Sequence, residues 1–247
     1  MANVAALWRH PIKSHGREAL QSVELTAGGT LPWDRRWAVS HEATRAEPGE
    51  WGPSANWTIA AKVLPLMAIT ATSDEAAGTV TLRHPERPDL TFDPDTEVDA
   101  FLEWEKPLLP ENRAQSTGIV RARERAMTDT EFPSVSILNL ASSTDLGMHM
   151  GQALSPHRWR CNIHLEGLAP WEENGWIGKT LRIGEAEFEV REPIERCRAT
   201  TADPETGRAD GDTLKALNAN FGNQNCGVYT FVTKGGRVSV GDEIELP

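Results

Sequence analysis

Cys197 lies in the run Glu195-Arg196-Cys197-Arg198-Ala199-Thr200-Thr201, with an arginine on each side. A positive field beside a thiol favours the thiolate form, and a thiolate is a nucleophile, a sulfur carrier or a soft metal ligand. The same residues also suit a surface loop whose arginines are simply solvated. Basic residues recur elsewhere at the expected ends of strands. They include Lys13 beside Ser14, Arg35 in Asp34-Arg35-Arg36, and Arg158 and Arg160 around Trp159. A guanidinium fork matches phosphate oxygens, and a lysine next to a serine offers a cation and a hydroxyl together. The chain as a whole carries a net charge of −11. A local cationic cluster on an acidic protein points to a small anionic ligand rather than to nucleic acid or a membrane surface. One cysteine within that cluster fits a phosphate-bearing cofactor whose metal takes a thiolate.

With 247 residues, 39% hydrophobic and 25% charged, the chain can bury a full core as one or two domains. No apolar run approaches a membrane span, and the first residues lack the charged-then-apolar order of a signal peptide. Cys161, Cys197 and Cys226 are an odd number without C-x-x-C spacing. This argues against a disulfide framework and a structural zinc site, and a reducing cytoplasm is the expected location. Cys226 has no charged neighbours in sequence and reads as a packing cysteine.

The elements that position these residues read as mainly β with minor α. Strands are expected over Val4–Trp8, Glu18–Thr26, Trp37–Ser40, Pro65–Thr72 and Thr79–Arg83, the last two as a hairpin. Residues 42–57 read as a surface excursion, and Val98–Trp104 as a short helix. Many short strands suggest a barrel-like first half. Pro107–Asn112 marks a boundary, giving domains 1–106 and 107–247. Val135–Leu140 reads as a strand, and Ala141–Met150 as a helix opening on hydroxyl residues that suit an N-cap. If the strand through Ile163 and Leu165 extends back, Arg158, Arg160 and Asn162 share one face. Leu181–Val190 reads as a hairpin turning at Gly184-Glu185 and leading to Cys197. Asp203–Gly207 closes that segment. Asp212–Phe221 then reads as a helix capped by Asp212, followed by strands at Val228–Val232, Arg237–Val240 and Glu243–Leu246.

The segment Arg196–Gly207, Arg-Cys-x-x-Thr-Thr-x-Asp-Pro-x-Thr-Gly, resembles the cysteine motif of MOSC domains. Gly236–Asp242 and Arg160-Cys161-Asn162-Ile163 ahead of Glu166-Gly167 also resemble that family. Pro11–Ser14 and Asp34–Trp37 are similar to the N-terminal β-barrel domain that accompanies MOSC domains. The resemblance implies an N-terminal β-barrel domain packed on a MOSC β-barrel domain, with the cofactor site between them. It is strongest toward the amidoxime reducing components and their bacterial relatives. It implies molybdopterin as cofactor and Cys197 as molybdenum ligand and catalytic residue. Lys13, Ser14, Arg35, Arg160 and Asn162 are implied to hold the pterin and its phosphate, with Arg196 beside the ligand. The sequence departs from the family pattern at His10, Cys161 and Glu195.

The leading expectation is a molybdenum-cofactor oxidoreductase that reduces N-oxygenated small molecules. The chain has no iron–sulfur cysteine cluster, so electrons must come from a separate donor protein. The alternatives are a sulfur carrier using a Cys197 persulfide, and a non-catalytic molybdenum-cofactor-binding module.

Overall fold

The computed structural model describes residues 2–245. In chain order its main elements are β1 (Asn3–Arg9), β2 (Glu18–Leu20), β3 (Ser22–Leu25), β4 (Trp37–His41), β5 (Thr70–Asp74), β6 (Thr79–His84), β7 (Arg87–Phe92), α1 (Val98–Glu105) and β8 (Ser116–Arg121). There follow β9 (Val135–Asn139), α2 (Leu140–Met150), β10 (Ile163–Glu166), β11 (Thr180–Ile183), β12 (Ala186–Glu195), α3 (Thr213–Phe221), β13 (Asn225–Lys234), β14 (Gly236–Ser239) and β15 (Ile244–Glu245).

The chain is mainly β, as its sequence leads one to expect. One eight-stranded sheet runs β15-β11-β12-β13-β9-β10-β1-β2, and three small sheets pair β14 with β3, β4 with β8, and β5-β6-β7. Within the large sheet only β9 and β10 pair in parallel, and the helix α2 supplies the crossover that such a pair requires. The strands alternate between two buried faces, so that Leu138 on β9 joins a core with Leu146, Trp159, Ile194 and Cys226 while its neighbour Ile137 joins another. Phe188 and Val190 on β12 are buried, as are Leu7 on β1 and Ile163 and Leu165 on β10, and they share one core. Burial of each contributes roughly 1.5–3 kcal/mol. A second core lies under the small sheets and gathers Ile12, Trp37, Leu66, Val80, Leu82 and Phe101. Ala199 and Ala202, from the cysteine segment, pack into this second core.

The sheets cross the expected division at residues 106 and 107 in both directions. β1 and β2 complete the large sheet of the second half, while β8 returns to pair with β4. Strand pairing across such distances cannot be read from local composition.

Several local expectations change. Glu18–Thr26 is not one strand, because β2 joins the large sheet and β3 leaves it to pair with β14. Pro65–Thr72 opens as a 3-10 helix over Leu64–Ala68 before β5 begins, with Pro65 near its start where a missing N–H does no harm. Asn139, not a hydroxyl residue, caps α2 by accepting from the Ala141 N–H at 3.0 Å. Ser142 and Ser143 are buried, and their hydroxyls bond Glu173 and the Trp159 indole instead. The excursion at 42–57 is anchored by Trp57, which is buried and donates to the Gly52 carbonyl. Leu246, which the expected last strand includes, lies outside the described residues.

Candidate functional site

One cleft of about 270 Å³ is lined by residues from both halves of the chain. Its lining includes Lys13, Ser14, Arg35, Arg160, Arg196 and Cys197, together with Asp129, Arg158, Glu195 and Tyr229. They arrive from six separate segments of the chain. Lys13 and Ser14 sit on the turn after β1, Arg35 on the turn before β4, and Arg160 just before β10. Glu195 is the last residue of β12, and Arg196 and Cys197 follow it.

Three of these residues share a backbone feature. Ser14, Arg35 and Arg160 all adopt positive φ, at 65°, 48° and 51°. For a residue with a β-carbon this conformation costs about 1 kcal/mol or more. Backbone hydrogen bonds hold the turns at Arg35 and Ser14. The Arg35 N–H donates to the His10 carbonyl at 2.7 Å, and the His15 N–H donates to the Ile12 carbonyl across Ser14 at 2.9 Å.

The expected shared strand face for Arg158, Arg160 and Asn162 does not form. Pro156–Trp159 is a 3-10 helix, Arg160 is left-handed, and β10 begins only at Ile163. The proline-led turn therefore sends the three side chains to separate places. Arg158 is buried and pairs bidentately with Asp210 at 3.1 and 2.9 Å while donating to the Thr200 carbonyl. It ties the cysteine segment to the wall. Asn162 does not line the cleft. Its Oδ1 accepts from the N–H and hydroxyl of Ser136 and its Nδ2 donates to the Trp8 carbonyl, so it clamps β9 to β1 behind the wall.

Arg196 lines the cleft, but its donors point into the protein. Nε donates to the Cys226 carbonyl and Nη1 to the Trp159 carbonyl, each at 2.7 Å, and Nη2 reaches the Cys161 Sγ at 3.2 Å. Cys161, which stands where the family pattern has another residue, is thus a partner of Arg196. Cys226 is buried, and withdrawal from water pushes its thiol pKa up. Cys197 alone of the three is exposed.

Besides Arg158 and Arg196, the cations that line the cleft are Lys13, Arg35 and Arg160. Arg35 is satisfied by Asp34 at 2.5 Å, and Arg36 turns away to stack on Trp33 and Trp37. Lys13 donates to Asp129 and the Met127 carbonyl. Burial lowers the Lys13 pKa against the pull of Asp129. Arg160 has only a 3.3 Å bond to the Gly16 carbonyl, and no carboxylate lies within salt-bridge reach among the described residues. Burial, then the charges of Arg35 and Arg17, brings its pKa down to about 9. An anion in the cleft would relieve this repulsion.

Asp129 and Tyr229 are the site residues that sequence reasoning misses. Withdrawal from water opposes the Asp129 carboxylate, but Lys13, Arg35 and Arg160 outweigh it and hold its pKa below the usual value. Burial raises the Tyr229 phenol pKa. The one available signal was that Tyr229 is the only tyrosine in the chain.

Ile59, Ala60 and Ala61 give the cleft an apolar stretch of lining. Besides the packing of Ala199 and Ala202, the cysteine segment is held against the first half at Arg17 and at Gly207. Arg17 donates to the Met67 and Pro204 carbonyls, both at 3.0 Å. Gly207, at a φ of 68°, sits so close to Pro65 that an added β-carbon would lie 2.6 Å from its Cα.

Comparison with known proteins gives two family matches. Residues 127–245 match the model described as MOSC domain, and residues 1–108 match the MOSC N-terminal beta barrel domain. The mouse mitochondrial amidoxime-reducing component 1 is 25% identical over 292 residues, covering 100% of this chain and 82% of that protein. The bovine mitochondrial amidoxime reducing component 2 is 25% identical over 293 residues, covering 99% and 83%. The YUAD protein of Bacillus subtilis aligns in structure over 98% of this chain and 93% of its own, at 12% identity and a TM-score of 0.46.

Proposed function

Since this chain belongs to the MOSC family, with a MOSC N-terminal beta barrel ahead of the MOSC domain, we propose that it is a molybdenum-cofactor-dependent oxidoreductase. Its substrates are N-oxygenated small molecules, and its electrons come from a separate donor protein. The observation that carries this reading is one cleft holding both an exposed cysteine thiol and a cation without a carboxylate partner. The names of the mouse and bovine relatives support the substrate class.

The residues present fit the cofactor. Arg160 is withdrawn from water beside two other guanidiniums, so a phosphate there supplies the missing counter-charge. The Cys197 thiol is exposed to the same cleft and suits a soft metal. Lys13, Ser14, Arg35 and Arg160 would hold the anionic end, and Cys197 would ligate the molybdenum. When bound, the cofactor supplies two-electron redox chemistry.

The chain's own groups do the rest. The fixed backbone at Ser14, Arg35 and Arg160 orients the cationic wall before any ligand arrives. The apolar stretch of Ile59, Ala60 and Ala61 excludes water from part of the lining. The phenol of Tyr229 keeps its proton and offers a hydrogen-bond donor to a polar substrate head. Glu195 is exposed and lines the cleft two residues before Cys197.

The test is the molybdenum and pterin content of protein from a cofactor-producing host, beside Cys197→Ala, followed by turnover of an amidoxime with a reduced dye as donor. Near-stoichiometric metal that the variant loses, with turnover, supports the reading. Metal without turnover leaves a binding module. Absence of metal in both proteins, with a persulfide on Cys197, replaces the reading with a sulfur carrier.

A further inference from the structure

His15 and Glu105 are both fully buried, and neither lines the cleft. His15 Nδ1 lies 2.8 Å from the Lys13 carbonyl, and Nε2 lies 2.8 Å from Glu105 Oε1. A carbonyl oxygen only accepts, so Nδ1 carries a hydrogen. Nε2 then faces a carboxyl oxygen, and that contact needs a proton as well. The proton sits on Nε2 or on Oε1. In either form the pair has no net charge, which is what a fully buried pair requires.

The contact matters because of what it braces. Lys13 and Ser14 form the cleft limb, with Ser14 at a φ of 65° and Gly16 at 86°. The Gly16 position is tight, since a β-carbon there would lie 2.7 Å from the Ala71 Cβ. Two carbonyls of this turn are held by side chains. Arg160 donates to the Gly16 carbonyl from across the cleft, and His15 donates to the Lys13 carbonyl from behind. Glu105 is the last residue of α1, and Phe101, one turn earlier, packs edge-on against the His15 ring at 5.5 Å. The helix of the first half thus reaches the cleft through one imidazole. Glu105 Oε2 has no partner, so its bond to His15 is all that holds this carboxyl in its site.

We propose that His15 and Glu105 are positioning residues. They form a proton-sharing pair that fixes the Lys13 carbonyl and thereby sets where the Lys13 ammonium and the Ser14 hydroxyl face the cleft. The proposal rests on the anion-binding part of the functional reading and not on the redox chemistry.

Inorganic phosphate binding to the cofactor-free protein tests it, read by calorimetry and by the amide resonances of Lys13 and Ser14. Glu105→Gln keeps the shape and lets the amide N–H donate to a neutral imidazole. Its phosphate affinity should stay within about twofold of wild type. Glu105→Ala and His15→Ala should each weaken phosphate about fivefold or more, and the double variant should be no worse than either. The alkylation rate of Cys197 should stay unchanged in all of them, which separates a local shift from general unfolding. In the wild type, the imidazole nitrogen spectrum should show Nδ1 protonated. Wild-type affinity in Glu105→Ala, loss in Glu105→Gln equal to that in Glu105→Ala, or an unprotonated Nδ1 overturns the proposal. If the wild type itself binds no phosphate, the anion reading fails, and the Ser14 resonance still decides. A shift in Glu105→Ala that Glu105→Gln restores supports the brace, and no shift sinks it.

Discussion

The Lys13 ammonium lies 2.5 Å from Asp129 Oδ1, so the cationic wall of the cleft carries its own acidic partner. Lys13 is buried, whereas about half of the Asp129 side chain is exposed. The carboxylate therefore neutralises a cation that would otherwise face an incoming anion. Asp129→Asn should raise phosphate affinity several-fold while costing about 1 kcal/mol of stability, a modest figure because the carboxylate is partly solvated. Calorimetric binding beside urea unfolding checks both. Unchanged or weaker phosphate binding would show that Asp129 helps rather than competes.

Arg160 presents the opposite case. Its charge is crowded by Arg35 and Arg17 and lacks a carboxylate partner. Arg160→Gln keeps the side-chain bulk and the backbone strain but removes the charge. Phosphate affinity should fall tenfold or more, while stability at neutral pH rises by about 1 kcal/mol. A variant that loses both binding and stability would mean that Arg160 is chiefly structural.

The three cysteines should separate by reactivity. Cys197 is exposed, and Cys161 and Cys226 are buried. Iodoacetamide should place one label on the native protein, at Cys197, and three after denaturation. Mass spectrometry of the digested protein gives the sites. Labelling of native Cys161 would show that the Arg196 contact opens in solution.

Stability should fall on acidification. His164 is buried, and withdrawal from water, then His157 and Arg196, brings its pKa down to about 3. The unfolded chain binds this proton near pH 6.5, before the folded one does. Stability is therefore full above that pH and is lost as pH falls from about 6.5 toward about 3. One such histidine removes roughly 2 kcal/mol between pH 7 and 5. His10, also pushed well below its usual value by burial, acts in the same direction. Urea unfolding at the two pH values, for wild type and His164→Gln, should show a smaller loss in the variant.

Gly207→Ala should be among the costlier small substitutions. The added β-carbon would meet backbone atoms of Pro65, at a positive φ that disfavours alanine. A loss of about 2 kcal/mol or more is expected from thermal unfolding, with faster alkylation of Cys197 as its segment loosens. A neutral substitution would mean that this contact does not hold the cysteine segment.

The sequence by itself determined the local elements and the chemical types at the site. The alternation in Leu181–Val190 and the turn at Gly184-Glu185 became β11 and β12, and Asp212 does cap α3 by accepting from the Lys215 N–H. A period of two and a short polar side chain at a helix start act over a few residues, so they are legible in the chain. Lys13, Ser14, Arg35, Arg160, Arg196 and Cys197 were legible as residue types at strand ends, and they line one cleft. What only the tertiary structure decided is direction and partnership. Arg196 and Arg158 face inward to carbonyls and Asp210, Asn162 clamps two strands, Asp129 enters the cleft from a segment with no local signal, and Tyr229 enters it from a strand whose facing the sequence does not show. His15 met Glu105 ninety residues away. Such pairings depend on which strands join and on the sign of φ at single residues, and both are set by long-range packing.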